Sequence, residues 1–273
     1  MLIDFHAHTF PDKIAPRTID ILLGNVEKMN INNAPARAYS DATVSGLIAS
    51  MDKYGVDYSV ILPIATVPRQ TATINRVAAE NNAHERLFSF GSVHPMQEDW
   101  EAAIYDIKEK GLSGIKMHPE YQGVFVDSPE MIRVLKLCEK LGLLVTLHTG
   151  QDVGIEPPVH CMPEALRRVL DYEVEGGNII AAHMGGWREW DGVEEYLVGT
   201  PVMLDTAYVS ADISPEQFER IIRAHGADKV LFATDSPWER PDTTVDFINR
   251  TGLSDEDKEK IFHKNAEKLL KIF

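Results

Sequence analysis

Eight short apolar runs recur along this chain, and segments of helical periodicity separate them. Runs of this kind, rich in β-branched residues and bounded by Gly, Pro or Asp, read as buried strands. They fall at residues 1–8, 56–62, 87–93, 114–117, 143–148, 178–183, 201–205 and 230–234. The patterns between them predict helices over 41–54, 71–84, 98–110, 163–172 and 188–197, with Gly55 and Gly111 as stops. Ser128-Pro129-Glu130 opens a further helix with an N-cap and a first-turn proline, and Gly142 closes it. Ser214-Pro215-Glu216-Gln217 carries the residues of a capping box, and one or two helices end the chain. Strands alternating with helices make βαβ units and a parallel sheet. Eight such units in 273 residues fit a closed (β/α)8 TIM barrel, a single domain over residues 1–273. An open doubly wound sheet is the competing architecture, but no glycine-rich dinucleotide loop follows the first run. Residues 11–35 interrupt the alternation and predict a long loop with helical parts, able to cover a site.

The C-terminal strand ends of such a barrel form its active face. His6, His8, His94, Lys116, His148, His183, Asp205 and Asp235 all fall there. Residues two apart in a strand share a face, so His6 and His8 point the same way. Joined by His148 and Asp235, they supply nitrogen and oxygen donors suited to a divalent transition metal. One histidine at a strand end is usually a hydrogen-bonded structural residue. Four runs that stop in series at a histidine or aspartate are hard to explain that way.

Composition narrows the partners. A net charge of -15 argues against nucleic acid or an anionic membrane surface, although its ordinary role is solubility. No run approaches the roughly 20 apolar residues of a membrane span. The first run starts at Met1, leaving no room for a leader segment, and the two cysteines, Cys138 and Cys161, make no disulfide framework. Both points suit a cytoplasmic location, a small-molecule substrate is the expected partner, and a homodimer stays open.

His6-Ala7-His8, Gly114-Ile115-Lys116-Met117-His118-Pro119, Leu147-His148-Thr149-Gly150, Ala182-His183-Met184-Gly185-Gly186 and Thr234-Asp235-Ser236-Pro237-Trp238 occur in that order. In number, order and spacing they resemble the amidohydrolase superfamily. They most resemble its amidohydrolase-related branch, which includes aminocarboxymuconate-semialdehyde decarboxylase. The resemblance extends from Leu2 to Leu270, nearly the whole chain. It implies a distorted TIM barrel with one divalent metal, usually zinc, held by His6, His8, His148 and Asp235, with His183 as the acid/base residue. In binuclear members a carboxylated lysine bridges two metals; here Lys116 would take that part and His183 would hold the second ion. The residues around Lys116 are those of the one-metal branch, so one Zn2+ per chain is the expectation. Lys116 would then bind a substrate carboxylate or pair with a neighbouring acid.

A metal with an open coordination position brings the pKa of bound water to about 7. Asp235 could orient that water or carry its proton, and His183 could polarise a substrate oxygen or protonate a leaving group. The leading reading is hydrolysis of an amide, ester or lactone in a small organic molecule. Its alternative is non-oxidative decarboxylation of an aromatic or unsaturated carboxylic acid, which needs the same metal set. A barrel that only binds metal or ligand comes third, because no ligand or acid/base position is missing. Further pocket candidates are His94, His118, Tyr208, Trp238, Arg69 and Arg240. Against them, His94 and His118 equally suit turn-fixing roles, loop aromatics often pack on the rim, and exposed arginines are usually only solvated. Asp205 and Thr206 fit supporting hydrogen bonds as well as chemistry. His84, His225 and His263 lie on helices and read as bystanders.

Overall fold

Two seams of backbone hydrogen bonds turn eight short strands into a ring. The computed structural model describes residues 1–29 and 37–272. Its strands are β1 (Ile3–Ala7), β2 (Tyr58–Ile61), β3 (Leu87–Ser89), β4 (Gly114–Met117), β5 (Leu144–Leu147), β6 (Ile179–Ala181), β7 (Met203–Asp205) and β8 (Val230–Leu231). All pair in parallel, in the orders β1-β2-β3 and β4-β5-β6-β7-β8. Between β3 and β4, Gly91 N donates to Gly114 O at 2.8 Å and Lys116 N donates to Gly91 O at 2.9 Å. Between β8 and β1, Phe5 N donates to Phe232 O (2.9 Å), Asp235 N to His6 O (2.8 Å) and His8 N to Ser236 O (2.7 Å). The fold is the expected TIM barrel, and these two sparse seams are its distortion. Several predicted runs outlast their ladders: the 230–234 run pairs with β7 only over Val230 and Leu231 before Phe232 N turns to Ile261 O.

One buried apolar cluster draws Ile3, Phe5, Val60, Phe90, Ile180, Met203 and Leu231 from around the whole ring, as only a barrel interior can. Phe5 meets Phe90 edge to face, with ring centroids 5.9 Å apart. A second cluster packs the outward faces of β4, β5 and β6 against the surrounding helices, with both Cys138 and Cys161 inside it. Burial pushes both thiols up, as expected of small core residues rather than nucleophiles.

The local signals hold at several helix ends. Ser128 Oγ accepts from Met131 N ahead of the helix Pro129–Leu141, and Gly142 ends it at φ 65°. Ser214 caps Pro215–His225, but Gln217 does not fold back to complete a capping box; its amide donates to Asp191 instead. Residues 188–197 differ from the predicted single helix, forming a short Trp190–Gly192 turn and a π-helical segment Val193–Leu197. The described part of the 11–35 stretch is mostly one helix, Ala15–Met29; residues 30–35 lie outside the described residues. A Cβ on Gly154 would lie 3.3 Å from Asn25 Cβ, so this helix crosses the barrel mouth to the loop after β5. Among the described residues, no helix is long and apolar enough to cross a membrane.

Gly114 opens β4 between the β3–β4 seam and β5, and a Cβ there would lie 2.5 Å from Leu144 O and 2.7 Å from the Phe90 ring. Backbone cannot yield cheaply in a packed barrel, so Gly114→Ala should cost about 1–3 kcal/mol in urea-melt stability. An unchanged midpoint would mean the seam is loose.

Candidate active site

The C-terminal barrel face opens into a cavity of about 470 Å3, and the sequence-predicted residues divide clearly around it. His6, His8, Lys116, His118, His148, His183, Tyr208, Asp235 and Trp238 line it. His94, Arg69 and Arg240 do not, which corrects three pocket candidates. His94 is a turn residue, its Nδ1 accepting from Met96 N at 3.2 Å. Arg69 is exposed on the Pro68–Gln70 turn. Arg240 pairs with Asp242 (3.0 Å) and lies over the Tyr39 ring. His84, His225 and His263 are likewise outside the lining, each bonded locally or to a neighbouring loop.

His6, His8 and Asp235 form one donor group, their ligand atoms within 4.8 Å of one another. Asp235 Oδ1 lies 3.0 Å from His8 Nε2 and 3.4 Å from His6 Nε2. Each ring is turned by its other nitrogen: His6 Nδ1–H donates to Asp205 Oδ2 and His8 Nδ1–H to Leu62 O, both at 2.8 Å. That leaves both Nε2 lone pairs facing Asp235, the arrangement metal-binding imidazoles require. Asp205 therefore acts through His6, and its Oδ1 also accepts from His183 N at 2.8 Å. Thr206 ties β7 to β8 through Ala233 and stays out of the cavity.

His148 falls in a second group, with His118 and Asp152. Its Nε2 faces Gln151 O at 3.1 Å, while its Nδ1 faces His183 Nε2 at 3.0 Å; His183 Nδ1 in turn faces Ala207 O at 2.8 Å. Burial holds His6 and His148 well below the ordinary imidazole value and His183 below it, so the rings are neutral near pH 7. Two neutral rings carry two N–H groups, and the two carbonyls take both. The facing nitrogens of His148 and His183 are then both bare, which is repulsive unless a cation or an added proton lies against them. The second group is different. His118 Nδ1 accepts from Tyr121 N at 3.3 Å, which puts the ring proton on Nε2, 3.5 Å from Asp152 Oδ2. Those rings present N–H groups to a carboxylate rather than lone pairs to a metal.

Charge points the same way. Burial pushes Asp235 upward, but the facing His6 and His8 outweigh it and hold the carboxyl below its usual range. Lys116 is fully buried with Nζ 3.1 Å from His6 Nε2; burial lowers it to about 8 against the pull of Asp205, Asp235 and Asp152. One lysine among three buried acids leaves negative charge for a divalent ion to balance. The donor set therefore fits a metal at His6, His8 and Asp235, while His148 groups with His118 and Asp152. His183 and Asp235 also carry left-handed backbones, φ 58° and 62°, uncommon outside glycine and frequent at functional sites.

Sequence reading anticipates that the 11–35 stretch can cover the site, but it misses Gln151, Asp152, Tyr121 and Arg37 in the lining. No local motif marks them; they enter because distant loops lean over the mouth.

A parallel barrel with a histidine–aspartate donor cluster at its C-terminal mouth is a metal-site architecture shared by many hydrolytic and lyase enzymes. Residues 3–272 match the amidohydrolase family model, and the chain belongs to that family. Over 47 residues it is 43% identical to a gamma-resorcylate decarboxylase of a Polaromonas species, a match spanning 17% of this chain and 14% of that protein. An uncharacterised TIM-barrel protein of Bordetella bronchiseptica has the same fold, with a TM-score of 0.76, 18% identity and 99% and 98% of the two chains covered. So does the 5-carboxyvanillate decarboxylase of Novosphingobium aromaticivorans, solved with manganese and a substituted nitrobenzoic acid: TM-score 0.68, 17% identity, 99% and 97% covered.

Metal analysis of the purified protein is expected to give about one divalent ion per chain, and near zero for a His6→Ala, His8→Ala double variant. Asp205→Asn should weaken metal affinity about 10- to 100-fold in chelator competition, because it loosens the His6 ring without removing a donor. Full occupancy in the double variant would put the metal elsewhere.

Proposed function

We propose that this protein is a metal-dependent, non-oxidative decarboxylase of an aromatic or unsaturated carboxylic acid. The carrying observation is a single cavity lined both by the donor cluster and by the aromatic side chains Trp187, Tyr208 and Trp238. A planar acid can stack on those rings with its polar end at the cluster. The family relatives that are decarboxylases support this over hydrolysis, the reading that sequence alone favoured, since the donor set serves both.

His6, His8, His148 and Asp235 would hold a divalent ion, with zinc the first candidate, which would supply Lewis acidity toward a substrate oxygen. Lys116, inside the mouth, attracts the carboxylate end. His183 is held by Ala207 O through Nδ1 and presents Nε2 to the cavity. In our reading it relays the proton: its bare Nε2 first takes one from solvent, the bond from carbon to the carboxyl group then breaks with its electron pair left on the substrate carbon, and that carbon takes the proton from Nε2 as carbon dioxide leaves. Asp235, placed beside His6 and His8, would serve as a metal ligand and leave the substrate carboxylate to Lys116. We further propose one metal rather than two. Lys116 Nζ lies 3.1 Å from His6 Nε2, which lets the lysine donate to that ring, and the acids Asp205, Asp235 and Asp152 favour its charged form against burial.

Zinc- or manganese-loaded protein incubated with a panel of hydroxylated benzoates should release one carbon dioxide per acid consumed. Acid formation from lactones or esters without carbon dioxide would return hydrolysis to first place. His183→Asn should lower turnover by about 10²–10⁴-fold with metal content unchanged. Metal lost with that side chain, or two ions per chain after incubation with bicarbonate, would support the binuclear reading instead.

A further inference from the structure

The cavity continues well past the donor cluster. Its 470 Å3 would hold on the order of fifteen waters. A single-ring acid of about ten non-hydrogen atoms leaves much of such a space unfilled. The extension runs beneath the helix that crosses the mouth. Along Ala15–Met29 only Ala15 is buried, while Leu22 and Val26, one turn apart on one face, are half-buried and line the cavity. Ile64, Ile74 and Val77 line it from the segment between β2 and β3, and Val153 from the loop after β5. Among the described lining residues outside the His, Lys and Asp cluster, Arg37 is the one charged side chain, and it lies over Tyr39 with 4.5 Å to the ring centroid.

An apolar helix face that lines a cavity instead of packing against the core forgoes burial that a ligand can restore. This face shares one continuous cavity with the donor cluster, so the occupant that reaches both is the substrate itself. We propose that the space under the Ala15–Met29 helix is a subsite for an apolar arm, and that the acid turned over carries an alkyl or second aryl substituent remote from its carboxyl group. A cationic arm is disfavoured by the lining, whose one further charge among the described residues is Arg37. The inference rests on the decarboxylase reading only for the carboxyl end.

Calorimetric titration of zinc-loaded protein with benzoate, 4-butylbenzoate and 4-hexylbenzoate reads this directly. Affinity should rise roughly threefold per added methylene. Leu22→Asn and Val26→Asn should each flatten that slope, a readout a general loss of folding would not mimic because it compares ligands on one protein. Benzoate binding with no gain along the series would overturn the subsite and leave the decarboxylase reading standing. No binding by any of the three acids would overturn the subsite together with the reading beneath it.

Discussion

The β8–β1 seam is the constraint on which the rest depends. Asp235 N donates to His6 O and His8 N donates to Ser236 O, so the donor-bearing ends of the first and last strands are bonded at the backbone. One turn deeper, the buried Asp4 carboxyl accepts from His6 N, Thr234 N and Thr234 Oγ1. Burial raises that carboxyl to about 7, and the three hydrogen bonds counter the rise only in part. The separation of His8 Nε2 and Asp235 Oδ1 thus follows from main-chain geometry rather than from side-chain adaptation. Such rigidity suits a site that must hold its donors before a metal arrives.

The same bonding sustains the strained backbones at the mouth. His183 keeps its left-handed conformation while its N–H is held by Asp205 and its ring by Ala207 O. Asp205 contacts both the His6 ring and the His183 main chain, so one buried carboxylate orients residues from β1 and from the end of β6. The donor cluster and the proposed acid are therefore coupled through a residue that does not line the cavity.

Opposite this centre, the cavity carries a pole of different character. Asp152 is held by Gly154 N at 2.7 Å and faced by His118, and burial raises its carboxyl to about 6. The His118 ring stacks on His148 with centroids 4.0 Å apart, linking the two poles. The metal-type lone pairs thus sit on one side of His148 and the proton-bearing nitrogens on the other. That division is set by which backbone carbonyl or N–H each ring meets.

The alternation of apolar runs and helical segments specified the barrel, because strand and helix periodicities follow from local sterics and burial. The His6–His8 pair, Asp235 and the Ser128 and Gly142 helix ends were legible for the same reason: neighbours in sequence decide where they point. Strand ends could also be placed at one mouth, since a parallel barrel has only one such face. What sequence could not supply was which side chains meet across it. Asp205 reaches His6 over 199 positions. His148 faces His183 and groups with Asp152, and the Ala15–Met29 helix lies against Gly154. His94, Arg69 and Arg240 lie near strand ends in sequence yet stay out of the lining: His94 meets Met96 N, Arg69 is exposed, and Arg240 pairs with Asp242. Local pattern is dictated by residues a turn or a strand apart; the contents of the cavity depend on how segments far apart in the chain pack, and that is decided only in the folded barrel.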